Sequence, residues 1–245
     1  MEKSGGVLDF EEVKADQPLV HSLYLHIVYH YPCVDGAYAL LGVHFFTKQL
    51  KAQAKGTGLR VKQRFYPRKN ESPFEFKMLL NEIESADSST AKTHITRHVV
   101  ITLDTFIAEC REQLLTLNQK QNVFVLVVDH HITNYELLQR EKLYKMNLDW
   151  REEASVEALS GLFEPRGDLS SFSVAKASLA GDSACCEGEG SKALFGLCYS
   201  IENSAAMISL NLFKALSLRM SSQFFPEDFD VPAMQKVKFL NPPSY

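Results

Sequence analysis

Three short segments of the chain are apolar at almost every position. They are rich in β-branched residues and comprise Leu23–Tyr29, Val99–Leu103 and Val123–Val128. Strands that are apolar on both faces are typical of a parallel sheet covered by helices on both sides. A fourth segment, Leu59–Tyr66, alternates between apolar and polar residues, so we predict a strand nearer the edge of the sheet there.

Apolar residues at helical spacing follow each of the three buried strands. The predicted helices are Gly36–Lys51, Thr105–Leu117 and Asn134–Leu143, and a later strand and helix are predicted at Ala193–Tyr199 and Glu202–Leu218. Repeated strand–helix units predict an α/β fold. We expect a three-layer sandwich around a mostly parallel sheet of about five strands.

The predicted α/β domain occupies residues 21–222 and has a less regular segment on each side of it. Residues 1–20 are acidic and predict a flexible tail. Residues 223–245 contain four prolines and predict an irregular extension or the stub of a second domain. Inside the domain, the Ser- and Gly-rich stretch within 150–192 predicts a flexible insertion.

Composition and charge narrow the classes of protein. The 245 residues include 26 Lys and Arg against 30 Asp and Glu, a net charge of −4, which argues against a broadly basic nucleic-acid coat. No apolar run approaches ~20 residues, so we predict no membrane span. The acidic start fits neither a secretory nor a mitochondrial leader, so a cytoplasmic location is the default expectation. Five cysteines without CxxC spacing predict reduced thiols rather than disulfides or a zinc knuckle.

Histidines and aspartates follow the ends of the three buried strands. They are His30, Asp35, Asp104, Asp129, His130 and His131. Because the carboxyl ends of parallel strands meet at one edge, we expect these side chains to converge. Imidazole nitrogens and carboxylate oxygens bind Mn²⁺, Zn²⁺ or Fe²⁺, and a carboxylate on a central strand can bridge two cations.

These residues also form a recognisable series of motifs. The pattern His30-x-x-Cys33-x-Asp35-Gly36, then Asp104, then Asp129-His130-His131 resembles the first three motifs of the DHH phosphoesterase superfamily. One branch reads His-Tyr-Pro-Cys-Pro-Asp-Gly-Ala in its first motif, and this chain differs from it only at Val34. The resemblance extends from about Tyr24 to Phe213, apart from the insertion.

The resemblance implies a role for each residue. His30 and Asp35 would hold one divalent ion, Mn²⁺ or else Mg²⁺, and Asp104 would bridge to a second ion that His130 helps to ligate. His131 and Asp129 would be the catalytic residues, with His131 contacting the substrate phosphate and Asp129 supporting the metal-bound imidazoles. The implied reaction is hydrolysis of a phosphoester or phosphoanhydride in a short oligonucleotide, a cyclic dinucleotide or a polyphosphate.

Two departures from the motifs weaken the case for an active hydrolase. The fourth motif of that branch has an Asp where this chain has Ser200, and a glycine where it has Ala205. We also expect the C-terminal substrate-binding lobe of many relatives to be missing here or reduced to a stub. The alternative is therefore a catalytically degenerate DHH fold that serves as a binding or scaffold subunit, with a protein partner supplying the missing lobe.

Several residues also have simpler interpretations. Asp104 could cap the helix that follows it. Cys33 is interpreted as buried filler rather than a nucleophile. His94 and His98 are interpreted as surface residues. The basic residues between positions 60 and 69 could line a path for a polyanionic substrate or belong to a solvated edge strand.

Overall fold

A computed structural model describes residues 20–69, 76–88, 94–164, 169–180 and 194–224. The strands within them are β1 (Val20–His30), β2 (Leu59–Arg68), β3 (His94–Leu103), β4 (Val123–Asp129), β5 (Tyr144–Asn147) and β6 (Phe195–Tyr199). The α-helices are α1 (Val34–Gln53), α2 (Phe76–Ser88), α3 (Arg111–Gln119), α4 (Ile132–Arg140), α5 (Glu153–Ser160), α6 (Leu169–Ala180) and α7 (Ala205–Phe224). Short 3₁₀ turns precede α3 and follow α5.

The strands form one parallel sheet in the order β2-β1-β3-β4-β6-β5. The predicted α/β class is therefore confirmed, and β2 lies at an edge as expected. The sheet has six strands rather than about five. The additional strand, β5, is four residues long and mostly exposed, so it contains no apolar run that the sequence pattern could reveal.

The sheet carries a layer of helices on each face. Along β4, Phe124, Leu126 and Val128 pack with α1, α5, α6 and α7, whereas the residues between them face α2, α3 and α4. Every residue of β4 is buried. This two-sided burial confirms the interpretation of the uninterrupted apolar segments as inner strands of a three-layer sandwich.

Helix α6 lies in the stretch that the sequence analysis expected to be a flexible insertion. Phe172 and Leu179 are buried in the core, and the ammonium of Lys176 donates hydrogen bonds to the main-chain oxygens of Lys120 and Val123 at 2.9 and 2.8 Å. The Ser- and Ala-rich composition masked the helical spacing of these few large apolar residues. The expectation is therefore wrong for 169–180, while 165–168 and 181–193 lie outside the described residues.

The interpretation of His98 as a surface residue is also wrong, because β3 begins earlier than predicted. His98 is fully buried, with Nδ1 3.0 Å from His26 Nε2 and Nε2 3.1 Å from Asp87 Oδ1. His26 Nδ1 in turn lies 3.0 Å from the hydroxyl of Tyr66. Partners on β1 and α2 therefore satisfy the imidazole of His98, which the local sequence alone would place in solvent. The side chain of His94 lies outside the described residues.

The expectations for both ends of the chain, within residues 1–19 and 225–245, fall outside the described residues. Among the helices that are described, none combines the length and the apolar character needed to cross a membrane.

Candidate metal centre

The predicted site residues lie at the carboxyl edge of the three central strands. β1 ends at His30, β3 ends at Leu103 just before Asp104, and β4 ends at Asp129. These strands are neighbours in the sheet, with Tyr29 paired to Leu103 and Leu103 paired to Val128. The register therefore places all three strand ends at the same level.

Three imidazoles lie close to the carboxylate of Asp104. Its Oδ2 lies 3.5 Å from Nδ1 of His30, and its Oδ1 lies 3.2 Å from Nε2 of His130 and 3.7 Å from Nδ1 of His131. Nε2 of His130 lies 3.4 Å from Oδ2 of Asp35. The structure thus brings together five side chains that come from three separate parts of the sequence.

Two groups of donor atoms in this cluster are compact enough to hold an ion. One contains His30, Cys33 and Asp104, and the other contains Asp104, His130 and His131, with the donor atoms of each group within 4.8 Å of one another. Asp104 belongs to both groups, so the two candidate donor sets share one carboxylate. Sequence reasoning did not include Cys33 among the ligands, although it lies inside the first motif.

The environment of Asp104 fits a cation. The residue is 2% exposed, and its Oδ1 accepts no hydrogen bond from the described part of the chain. Burial raises the pKa of this carboxyl, as does the charge of Asp35, against the opposing effects of the Cys33 thiol and of His131 and His130. A buried acid with an unsatisfied oxygen beside several imidazoles is a donor set that a divalent ion would complete.

Asp104 does not cap the following helix. The 3₁₀ turn after it begins at Ala108, with Ile107 in the capping position. The backbone of Asp104 has φ +53°, in the left-handed region that Asp and Asn adopt more readily than most residues. The alternative interpretation of Asp104 as a helix cap is therefore wrong.

Asp129 lies behind His131 and is 1% exposed. Its Oδ1 lies 2.7 Å from Nδ1 of His131, and this hydrogen bond is the main reason that the pKa of His131 is raised despite its partial burial. The charges of Asp129, Asp104 and Asp35 act in the same direction. Asp129 therefore orients an imidazole of the cluster, a common role for a carboxylate behind a metal-binding histidine.

Asn134, in the first turns of α4, is a supporting residue that sequence reasoning missed. Its amide nitrogen donates hydrogen bonds to Oδ2 of Asp129 and, at 2.9 Å, to the main-chain oxygen of Thr105. Its Oδ1 accepts from the N–H of Ile107 at 3.2 Å. Asn134 thereby joins the loop that carries Asp104 to the end of β4. Only its position five residues after Asp129 could have pointed to it.

The fourth predicted motif lies at the start of α7. The hydroxyl of Ser200 accepts a hydrogen bond from the side-chain amide of Asn203 at 2.9 Å. The main-chain N–H groups of Ala205 and Ala206 donate to the two carboxylate oxygens of Asp35, at 3.0 and 2.9 Å. Asp35 is therefore both a neighbour of His130 and a cap for this helix.

One of the basic residues near the site is already engaged. Arg68 is buried, and its guanidinium forms an ion pair with Glu109 at 2.6 Å and a hydrogen bond with the main-chain oxygen of Phe106. Arg64 is exposed at the edge of the sheet and lies 3.4 Å from Glu82. Arg68 is therefore a structural link between β2 and the loop after β3 rather than part of an open path for a polyanion.

Comparison of the chain with protein-family models, with curated proteins and with solved structures found no match. The chemistry of the centre follows from its own residues and their geometry. Those residues offer imidazole, carboxylate and thiol donors around one buried carboxylate.

Proposed function

We propose that this chain is a divalent-metal-dependent phosphoesterase of the DHH type, and that Asp104 is the central ligand of its metal centre. One observation supports it most strongly. Oδ1 of Asp104 is buried and accepts no hydrogen bond from the described residues, although Nε2 of His130 lies 3.2 Å away. Three imidazoles from two strand ends surround this carboxylate. Buried charge of this kind is stabilised when a cation is bound.

In this proposal the ligands are His30, Asp35, Asp104 and His130. A divalent cation, Mn²⁺ or Mg²⁺, would supply Lewis-acid activation of water and neutralise charge that develops on the phosphate. Asp129 holds His131 in a fixed orientation at 2.7 Å. His131 would contact a phosphate oxygen of the substrate.

The proposed substrates are phosphoesters or phosphoanhydrides: a short oligonucleotide, a cyclic dinucleotide or a polyphosphate. A partner protein that contributes a substrate-binding lobe, and a cytoplasmic location, belong to the same proposal. Phosphate oxygens carry the charge that the imidazoles and the cation would contact, so the shared chemistry of these substrates is the phosphoryl group.

The proposal is tested by turnover of pyrophosphate and of a short single-stranded oligonucleotide with Mn²⁺, Mg²⁺ or Zn²⁺. The wild-type chain is expected to hydrolyse at least one of them, and His130→Ala is expected to lower turnover at least about 100-fold. The matched control is His44→Ala, because His44 is an exposed residue of α1, and it should retain full activity. Equal turnover by wild type, His130→Ala and His44→Ala, or no turnover with any ion, would refute the proposed activity.

A second candidate function is favoured by the contacts at the start of α7. Ser200 offers a hydroxyl where a carboxylate ligand is expected, and both oxygens of Asp35 already accept main-chain hydrogen bonds. These features favour a degenerate DHH fold that acts as a binding or scaffold subunit. Ser200→Asp distinguishes the two: a weakened enzyme gains Mn²⁺ affinity and turnover, whereas a scaffold that lost its chemistry elsewhere gains neither.

A further inference from the structure

We propose that Cys33 is a metal ligand, and that the ion held by His30, Cys33 and Asp104 belongs to the zinc class rather than to the manganese and magnesium class. This inference rests on the proposed function, because the ion occupies the same centre, and it replaces the Mn²⁺ or Mg²⁺ of that proposal by an ion of the zinc class. It assigns to Cys33 a role different from the filler that the sequence suggested.

The position of Cys33 suits a ligand. The residue directly precedes α1 with an extended backbone, φ −136° and ψ 135°, and its side chain makes no capping hydrogen bond to the helix. Its Sγ lies within 4.8 Å of donor atoms of both His30 and Asp104. Donors of one zinc ion lie about 2.0–2.3 Å from it, so a small contraction of this group would bring all three into bonding range.

The turn that carries His30 and Cys33 is tightly closed. A Cβ atom built on Gly36 would lie 2.4 Å from the main-chain oxygen of His30, a distance that no side chain tolerates. Glycine at this position therefore lets the first turn of α1 approach the end of β1. The close approach keeps the start of α1, which Cys33 directly precedes, beside His30.

Asp104 provides independent evidence of a ligand. Its side chain is 2% exposed, and its Oδ1 accepts no hydrogen bond within the described ranges. A buried carboxylate oxygen without a donor is costly. Oδ1 lies 3.2 Å from Nε2 of His130, whereas Nδ1 of His30 lies 3.5 Å from Oδ2. A cation bound by His30, Cys33 and Asp104 would offset the charge of this buried carboxylate as a whole.

The chemistry of the donor set decides the class of ion. Thiolate is a soft ligand that favours zinc and other late first-row metals, whereas Mn²⁺ and Mg²⁺ favour oxygen donors. One nitrogen, one sulfur and one oxygen make three protein ligands, which leaves a fourth position open, as in catalytic zinc sites. Binding replaces the S–H bond of Cys33 by a sulfur–metal bond and releases the thiol proton to solvent.

The other described cysteines have different surroundings. Cys110 and Cys198 are buried. Burial raises the pKa of Cys110 to about 11, against the opposing charge of Arg68, and burial also raises the pKa of Cys198. Neither belongs to a donor group in the described part of the chain. Both thiols are therefore poor ligands and suitable controls.

The test uses Co²⁺ as a spectroscopic substitute for zinc in the full chain. A cobalt ion bound by Cys33 is expected to give a thiolate-to-cobalt charge-transfer band in the near ultraviolet, and Cys33→Ser should abolish it. The band should persist in Cys198→Ala and in the double variant Cys185→Ser/Cys186→Ser, whose residues lie outside the described ranges. Because the wild-type spectrum is itself informative, the test does not depend on the folding of the Cys33 variant.

Competition between ions gives a second readout. The wild-type chain is expected to bind Zn²⁺ at least about tenfold more tightly than Mn²⁺, and Cys33→Ser should remove most of that preference. Bound cobalt without the band, or a preference for Zn²⁺ that Cys33→Ser leaves unchanged, overturns the thiolate ligand while the proposed metal centre survives. A chain that binds no divalent ion overturns both.

Discussion

The carboxylate of Asp35 caps a helix far away in the sequence, with Oδ1 2.9 Å from the main-chain nitrogen of Ala206. Its Oδ2 lies 3.0 Å from the nitrogen of Ala205 and 3.4 Å from Nε2 of His130. One side chain therefore joins the start of α1, the start of α7 and the candidate metal centre. The positive end of the α7 dipole stabilises its negative charge.

Asp35→Ala should lower the free energy of unfolding by about 1–2 kcal/mol, because two N–H groups at the start of α7 lose their acceptor. Asp35→Asn keeps one acceptor oxygen, so its free energy of unfolding should lie between those of wild type and Asp35→Ala. Urea denaturation measures the difference. Glu202→Gln is the control, since Glu202 is an exposed acid just before the same helix. A Glu202 variant as unstable as Asp35→Ala would show that general charge near the dipole, not the direct cap, stabilises α7.

Asn134→Ala should destabilise the fold by about 1–3 kcal/mol, because it removes the donors to Asp129 and Thr105 and the acceptor for Ile107. It should also weaken cation binding by about tenfold, since Asn134 holds the loop that follows Asp104 against the end of β4. Denaturation and cation titration are the two measurements. Gln139→Ala on the exposed side of α4 should change neither. Unchanged cation affinity in Asn134→Ala would show that Asn134 does not support the metal centre.

Lys176→Met tests the docking of α6. The ammonium donates to main-chain oxygens of Asn118, Lys120 and Val123, and the variant would leave these acceptors without their cationic donor. We expect a loss of about 1–3 kcal/mol in the free energy of unfolding. Lys145→Met is the control, since the ammonium of that exposed lysine donates to the main-chain oxygen of Ser178 at a long 3.4 Å. This variant should stay within about 0.5 kcal/mol of wild type. Equal stability of the two variants would contradict a docked α6.

His26 predicts a dependence of stability on pH. Burial lowers its pKa to about 3, and the charges of His98 and Arg64 act in the same direction, whereas an unfolded histidine titrates near pH 6.5. Between about pH 3 and 6.5 the unfolded chain therefore binds a proton that the folded chain does not bind. The free energy of unfolding should therefore decrease as the pH is lowered through this window, by up to about 1.4 kcal/mol per pH unit.

His26→Gln keeps a hydrogen-bonding group between Tyr66 and His98 but removes this titration. Its free energy of unfolding, measured in urea from pH 7.5 to 5, should fall less steeply than that of wild type. His44→Gln, at an exposed position, should follow wild type. Parallel curves for wild type and His26→Gln would show that His26 is not held neutral by the fold.

The sequence predicted best what depends on long apolar segments. β4 is buried on both faces, so its sequence is an uninterrupted apolar run. β5 is short and mostly exposed, so its sequence has no such run. The helix α2 was not predicted, although Phe76, Leu79 and Ile83 have helical spacing and are buried. Strand ends carry the site, so the convergence of the histidines on Asp104 followed from the order of the strands.

The remaining features depend on tertiary contacts that no local pattern records. The burial of His98 depends on His26 and Asp87, which belong to other elements of the fold. The capping of α7 by Asp35 joins residues 170 positions apart. Local propensity places such polar residues in solvent, and only the packed structure shows which of them have partners.

The most direct test of the metal centre is a calorimetric titration of wild type and Asp104→Asn with Zn²⁺ and with Mn²⁺. Asp104 is shared by both donor groups, and asparagine has nearly the same shape and tolerates the left-handed backbone at this position. The variant should therefore fold normally and, free of a buried acid with a raised pKa, should be at least as stable as wild type without metal.

Wild type is expected to bind one or two divalent ions, and Asp104→Asn is expected to bind them at least about 100-fold more weakly. A wild-type chain that binds neither cation, or an Asp104→Asn variant that binds as tightly as wild type, would contradict a metal centre built on Asp104.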